Sequence, residues 1–441
     1  MAQTRLIRFF PLGTSFVLLV LLVVACGDEA TLTPSPSLAP TLSPTSTPEP
    51  ISPEPTPTTV TPTPSPTSTS EPTPTPSPTS TPELIPTQVP SEEPEGATPP
   101  YPFSPVIEDI TWDVDTLTTA APGSDIWSVT WGADGNLYTG WGDGGGFDGT
   151  NSDGRVSIGF GRIEGEPEEL VGVNVNGGKN AMHLPSIERG KPSAIISVDG
   201  TLYVWLNTQN DEPPDFQLAW SDDFGKTWEL SDWVFPKSGD FFPGKFLNAG
   251  KDNSAAQDEY VYSYGAKWIF TQGPENNIYL IRVPKDEIKD RDAYEFFTGL
   301  DEQGNPTWSP EVDQRQPVFT DPNGVGNTSQ ASVSYVPGLD RYLLTVPHRP
   351  PSQSITAGAG QLGVFDAPHP WGPWTTVAYY DDWIGAGTGE ALGYYFPGKW
   401  MSEDGLTLWM VFSCHSSPEG ERCVDEYHDQ FNLIKATITL K

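Results

Sequence analysis

Cations are scarce in this 441-residue chain, with 23 Lys and Arg against 58 Asp and Glu and a formal charge of −35. Such a surface repels phosphate backbones and anionic headgroups, so nucleic acid is excluded as a partner, as is an electrostatic hold on a membrane. Cysteine is scarcer still, at three, which leaves no room for a disulfide-built scaffold. Long stretches of helical periodicity are almost absent. No Ser/His/Asp nucleophile set, phosphate-cradling glycine loop or metal-ligand cluster stands out, so no cofactor and no metal are expected.

No apolar run is long enough to span a bilayer, although one near the start comes closest. Arg5 and Arg8 give a positive beginning, Phe16 to Val24 form an apolar run of about nine residues, and Val23-Val24-Ala25-Cys26-Gly27 follows. That length suits the core of a signal peptide. The tetrapeptide ending in Cys26 resembles the bacterial lipobox, whose cysteine is lipidated and becomes the new N-terminus. Residues 1–25 are thus expected to be a lipoprotein signal peptide; an ordinary secretory signal with a chance cysteine is the alternative. Gly27 rather than Asp follows, so the familiar inner-membrane retention signal is missing.

Residues 26–100 read as a lipid-anchored, disordered linker. From Thr31 to Pro100 the chain is almost entirely Pro, Thr and Ser, which cannot bury enough apolar surface to offset the entropy of ordering. Seventy such residues in polyproline II geometry reach on the order of 200 Å, at about 3.1 Å per residue. The expected location is the cell envelope, with the following domain on the extracellular side.

That domain, residues 101–441, is rich in Trp, Tyr, Gly and Asp. Its two cysteines, Cys414 and Cys423, are expected to close a disulfide after export; as thiols near His415 and His428 they lack standard metal-ligand spacing. Short β-type segments recur between Gly/Asp turns, which makes the domain all-β. Hairpins are read at Ile126–Trp131 with Leu137–Trp141, Ala194–Val198 with Leu202–Leu206, Ala331–Tyr335 with Tyr342–Val346, and Trp400–Ser402 with Leu406–Phe412. A further unit uses Phe246–Ala249, Tyr260–Tyr264, Ile278–Val283 and Tyr294–Phe297. Four-strand repeats of this kind predict a five-bladed β-propeller, closed by Ile110 to Val114 joining Phe431–Leu440. Ser221 to Trp228 matches the Ser-x-Asp-x-Gly-x-Thr-Trp Asp-box, a structural hairpin turn of sialidase-type propellers.

Propeller sites lie at the mouth where innermost strands begin. In the first hairpin a turn centred near Asp134 brings Asp125 and Asp143 opposite one another at that mouth, with β-carbons about 5 Å apart if directly paired. A carboxyl pair is what glycoside hydrolysis requires, one protonated and one ionised. The competing reading has Asp125 capping a turn and Asp143 in a glycine-rich loop, or both holding calcium with Asp148 and Asp153.

The stretches Asp125-Ile-Trp-Ser-Val-Thr-Trp, Asp134-Gly-Asn-Leu-Tyr, Gly142-Asp143-Gly, Val261-Tyr-Ser-Tyr, Ile278-Tyr-Leu, Arg282-Val-Pro, Phe296-Phe-Thr-Gly and Arg341-Tyr-Leu-Leu resemble the bacterial family called domain of unknown function 4185. Some of its members are grouped as glycoside hydrolase family 183, five-bladed propellers with endo-D-arabinanase activity. The resemblance implies a pair of catalytic aspartates on the first blade, at Asp125 and Asp143.

Other groups expected at this mouth are Lys191, Lys245, Gln330 and Lys399, each preceding an inner strand, and Asn207, Tyr264, His348 and His415 at the ends of the return strands. Lys191, Tyr264, His348, Lys399 and Asp148 are taken as substrate-binding candidates, and Glu390 as a distant alternative acid. His183 is unassigned. The first reading of function is a surface-tethered glycoside hydrolase acting on an extracellular polysaccharide; a non-catalytic glycan-binding propeller and an adhesive protein are the others. The expected partners are a polysaccharide or other glycan and, through Cys26, a membrane, with the domain acting as a monomer.

Overall fold

The computed structural model describes residues 97–441 other than 183–186, 188–189, 209–214, 237–240, 267–275, 326–329, 349–357 and 417–421. Cys26, the signal segment, the linker as far as residue 96 and His183 therefore lie outside the described residues, whereas residues 97–100, expected to be disordered linker, are packed on the domain. Strand β1 is Ile107–Ala120. Four strands then form one sheet: β2 (Asp125–Trp131), β3 (Leu137–Gly142), β4 (Ile158–Glu164) and β5 (Val171–Asn176). A second sheet holds β6 (Lys191–Val198), β7 (Thr201–Asn207), β8 (Phe216–Ser221) and β9 (Glu229–Phe235). The third is larger, with β10 (Phe242–Phe246), β11 (Tyr260–Ala266), β12 (Asn277–Pro284), β13 (Glu295–Leu300), β14 (Pro306–Ser309) and β15 (Pro317–Thr320). The fourth comprises β16 (Ser332–Val336), β17 (Arg341–Pro347), β18 (Leu362–Ala367) and β19 (Thr375–Tyr380). The last has β20 (Glu390–Tyr395), β21 (Thr407–His415) and β22 (Phe431–Leu440), with β1 as its outer strand.

The first strands of the five sheets neighbour one another in a ring, β2 to β6, β6 to β10, β10 to β16, β16 to β20 and β20 back to β2. They run in the same sense, as the parallel bridge Asn248–Ser334 between the third and fourth blades illustrates. This is a five-bladed propeller. The ring is closed by antiparallel pairing of β1 with β22, from Ile107↔Leu440 to Ala120↔Phe431.

Turn chemistry accounts for the repeat. Asp199 and Gly200, both at positive φ (49° and 84°), join Val198 to its partner Thr201 in a two-residue hairpin, which needs left-handed backbone at both positions. In three other blades the aspartate of the first turn accepts a tyrosine hydroxyl: Tyr138 to Asp134 at 2.8 Å, Tyr262 to Asp258 at 2.6 Å and Tyr335 to Asp340 at 2.7 Å. The Asp-box turn is held by its own side chains, Asp223 accepting from Thr227 N and Oγ1 at 2.8 and 2.7 Å and Ser221 Oγ from Gly225 N at 2.8 Å.

Blades adhere through aromatic rings. Trp127 stacks on Trp141 at 5.4 Å and meets Phe431 of the last blade edge-on at 5.5 Å. Trp205 of the second blade stacks on Phe246 of the third at 5.5 Å. Each such side chain buries roughly 150–250 Å² of surface, which is why a sequence so rich in Trp and Tyr holds five otherwise separate sheets together.

Ahead of β1, residues 97–104 lie along the outer edge of the fourth blade. Ser104 N donates to Thr376 O at 2.7 Å, Thr376 N to Pro102 O at 2.8 Å, and Asn323 Nδ2 to Thr98 O at 2.8 Å. The Tyr101 ring packs on Phe319 at 5.2 Å.

Candidate active site

The first blade departs from a plain hairpin at the residue that matters most. Pairing runs regularly from Trp131↔Leu137 to Ser128↔Gly140 and then shifts, so that Asp125 faces Gly142. Ile126 and Trp127 occupy the shift, with φ of 76° and 53°. Two successive non-glycine residues in the left-handed region, one of them β-branched, are a strained arrangement of the kind that collects at functional sites. The Trp127 indole holds it by donating to Ser124 O at 2.8 Å. The expected direct opposition of Asp125 and Asp143 is therefore corrected. The bulge moves the register by one residue, and Asp143 follows the strand at φ 52°.

Both carboxyls still serve the same mouth, in different surroundings. Asp125 Oδ1 is sealed from solvent and has no hydrogen-bond partner among the described residues. Burial raises this carboxyl to about 7; Lys191 opposes the rise, and Asp429 and Asp143 add to it. Asp143 Oδ1 is ion-paired to Lys191 Nζ at 2.7 Å and to Arg155 Nη2 at 3.2 Å. Lys191 Nζ also donates to Ser157 O at 3.2 Å. Gly142 makes this convergence fit, since a β-carbon there would stand 2.6 Å from Asp125 Oδ1 and 2.7 Å from Lys191 Cδ.

Of the residues expected to line the mouth, Lys191 opens the inner strand of the second blade. The other four substrate-binding candidates are placed as follows. His348 is fully buried, stacked on Tyr379 at 3.7 Å, with Nε2 on Tyr380 O at 2.8 Å; burial lowers it to about 4. Tyr264 is buried between blades and donates to Pro370 O at 2.7 Å. Lys399 sits in a short turn past the end of β20, at the opposite mouth, because the inner strand of the last blade is Glu390–Tyr395 and not the expected Trp400–Ser402. Asp148 is exposed in the loop after Asp143, and Asp153 pairs with Lys179 at 2.8 Å, so neither carboxylate joins Asp125 in the alternative calcium site. Lys245 likewise lies within β10 rather than ahead of it, buried against Ser193 O and the Tyr395 ring.

His415, expected at this mouth, is joined beside Asp125 by two residues not assigned from sequence, His428 and Asp429. His415 Nδ1 lies 2.8 Å from Asp429 Oδ1, and His428 Nδ1 lies 3.6 Å from Asp429 Oδ2. The hydrogen bond to Asp429 raises the His415 ring above its usual range. Asp429 O accepts Gly123 N at 2.7 Å and Ser124 N at 3.1 Å, which ties this cluster to the residues just before Asp125. Glu390, opening β20, pairs in register with His415. His415 and His428 are thirteen positions apart, and the Cys414–Cys423 disulfide starts at the residue just before His415 and ends within the loop that joins them.

A cavity of about 490 Å³ lies at the other end of the ring, between the first turns of the third and fourth blades, and is lined by Tyr260, Tyr262, Tyr342, His369 and Trp371 among others. Its two carboxylates, Asp258 and Asp340, are those taken by Tyr262 and Tyr335.

Residues 170–418 match the family model described as Domain of unknown function (DUF4185). Among solved structures, a GH43_1 enzyme from Xanthomonas citri is 13% identical with a TM-score of 0.40, covering 74% of this chain and 90% of its own. A thermostable family-43 glycoside hydrolase is 14% identical with a TM-score of 0.39, over 77% and 92% of the two chains. An alpha-L-arabinofuranosidase from Podospora anserina, in complex with cellotriose, is 11% identical with a TM-score of 0.38, over 73% and 91%. No curated protein matches the sequence. The family model covers more than half of the chain, and the chain belongs to the DUF4185 family.

Proposed function

We propose that this DUF4185 member is a glycoside hydrolase that cleaves an extracellular polysaccharide, an arabinan or other furanoside being the first substrate to test. The observation that carries the reading is the contrast within one mouth between Asp125, whose Oδ1 is sealed from solvent and unpartnered among the described residues, and Asp143, ion-paired to two cations. Glycosidic cleavage needs that division: an acid that protonates the leaving oxygen and a carboxylate that acts as base or nucleophile. Asp125 takes the first role and Asp143 the second. Lys191 and Arg155 hold Asp143 in place, and Lys191 offers donors to sugar hydroxyls. The family resemblance to endo-D-arabinanases of glycoside hydrolase family 183 favours the same substrate class.

The test is reducing-sugar release by the purified protein over a panel of polysaccharides that includes arabinans. Asp125→Asn and Asp143→Asn are each expected to lower turnover by at least about 100-fold with unchanged circular dichroism. Turnover that survives both substitutions would refute the assignment, and binding without cleavage would make the propeller a glycan receptor. The lipobox reading of Cys26 places the enzyme on the outer face of the envelope at the end of a long tether. A Cys26→Ser chain is accordingly expected to fractionate away from membranes, and retention there would refute the anchor.

A further inference from the structure

We propose that His415, His428 and Asp429 form a binding site for one divalent transition-metal ion of the zinc class. Both imidazoles turn Nδ1 toward the same carboxylate, one to each oxygen, at 2.8 and 3.6 Å. The three donor atoms lie within 4.8 Å of one another, and the two rings stand 5.1 Å apart. Zinc takes imidazole nitrogen and carboxylate oxygen at about 2.0–2.2 Å, so donors on a common ion are spaced by about 3–4 Å. Small side-chain rotations therefore close the set. Two nitrogens and one oxygen suit zinc, cobalt or nickel; calcium and magnesium prefer oxygen-only shells.

The backbone holds these donors ready. Asp429 N donates to Cys414 O at 2.8 Å and His428 N to Val424 O at 3.1 Å. Cys414 and His428 share a parallel bridge, and the Cys414–Cys423 disulfide ties down the strand end that carries His415. The imidazoles are also accessible, their side chains being 42% and 32% exposed. Three protein donors with an open side are the arrangement of sites in which the remaining position takes water or a substrate oxygen. Because Asp429 is bonded to the residues before Asp125, such an ion would face the same mouth. Its use there, to coordinate and orient a sugar hydroxyl, rests on the hydrolase reading; the binding of the ion does not. The competing reading is a histidine–aspartate ion pair with a neighbouring ring.

The experiment strips the full-length protein with a chelator and titrates it with zinc chloride, and in parallel with calcium chloride, by calorimetry. Cobalt chloride is added separately to read the visible absorption of the bound ion. One equivalent of zinc is expected, with calcium at least 100-fold weaker and cobalt giving bands characteristic of nitrogen–oxygen coordination. His415→Ala and His428→Gln should each weaken zinc by at least 100-fold, while Asp125→Asn binds it as tightly as the parent. Near-ultraviolet circular dichroism identifies any variant that has lost its fold, and the alternative substitution at that position then takes its place. Absence of saturable zinc binding overturns the proposal, as does binding that survives both substitutions or favours calcium. None of these outcomes depends on finding a substrate.

Discussion

Burial fixes the protonation of His348, and with it the response of the fold to acid. The ring is enclosed, stacked on Tyr379 and bonded through Nε2 to a carbonyl, and it titrates near 4 instead of 6.5. A group whose folded value is depressed contributes stability above its unfolded value and loses it as pH falls. The loss from this residue should therefore run from about pH 6.5 down to about pH 4 and amount to roughly 3 kcal/mol, at about 1.4 kcal/mol per unit. Chemical denaturation at pH 7 and pH 4 checks it: His348→Gln should flatten the difference by that amount, and an unchanged slope would refute the assignment. The polar character of His348 and its place at a strand end were legible in the sequence. Its enclosure was not, because that depends on Tyr379 and Tyr380 of another strand closing over it.

At the scale of the element, the bulge of the first blade decides the site. Gly142 leaves the space that Asp125 Oδ1 and Lys191 share, and a methyl group there would overlap both. Gly142→Ala should cost about 1–3 kcal/mol in unfolding free energy and reduce turnover by displacing the carboxyl. Wild-type stability together with wild-type turnover would refute that packing. The hairpin itself could be read from Asp134-Gly135-Asn136 and the flanking aromatics, since two-stranded alternation and turn residues are local signals. The bulge could not, for nothing in Ile126 or Trp127 favours positive φ; the surrounding contacts impose it. The same distinction explains the last blade. Trp400 resembles a strand residue, yet the inner strand lies ten residues earlier, so Lys399 falls at the far mouth and Glu390 at the near one.

At the scale of the whole molecule, the propeller is one ring whose ends meet at β1 and β22. The count of blades and the closing partner were legible from the repeat and from the shortage of strands in the final unit. The extra strands of the third blade were not, because β14 and β15 fill space outside the four-strand repeat. Removing residues 97–120 strips the outer strand from the last blade and leaves the ring open, so the truncated protein should lose its single cooperative unfolding transition or accumulate as aggregate. A soluble truncation with a parental melting curve would refute the closure. The stretch from Ala97 to Ser104 is stitched to the third and fourth blades before the chain joins the fifth. A pull applied at that end is thus spread over three blades by several hydrogen bonds and an aromatic contact, with no single ladder bearing it. Tension on the chain would load these contacts first, ahead of β1 and of the mouth where Asp125 sits.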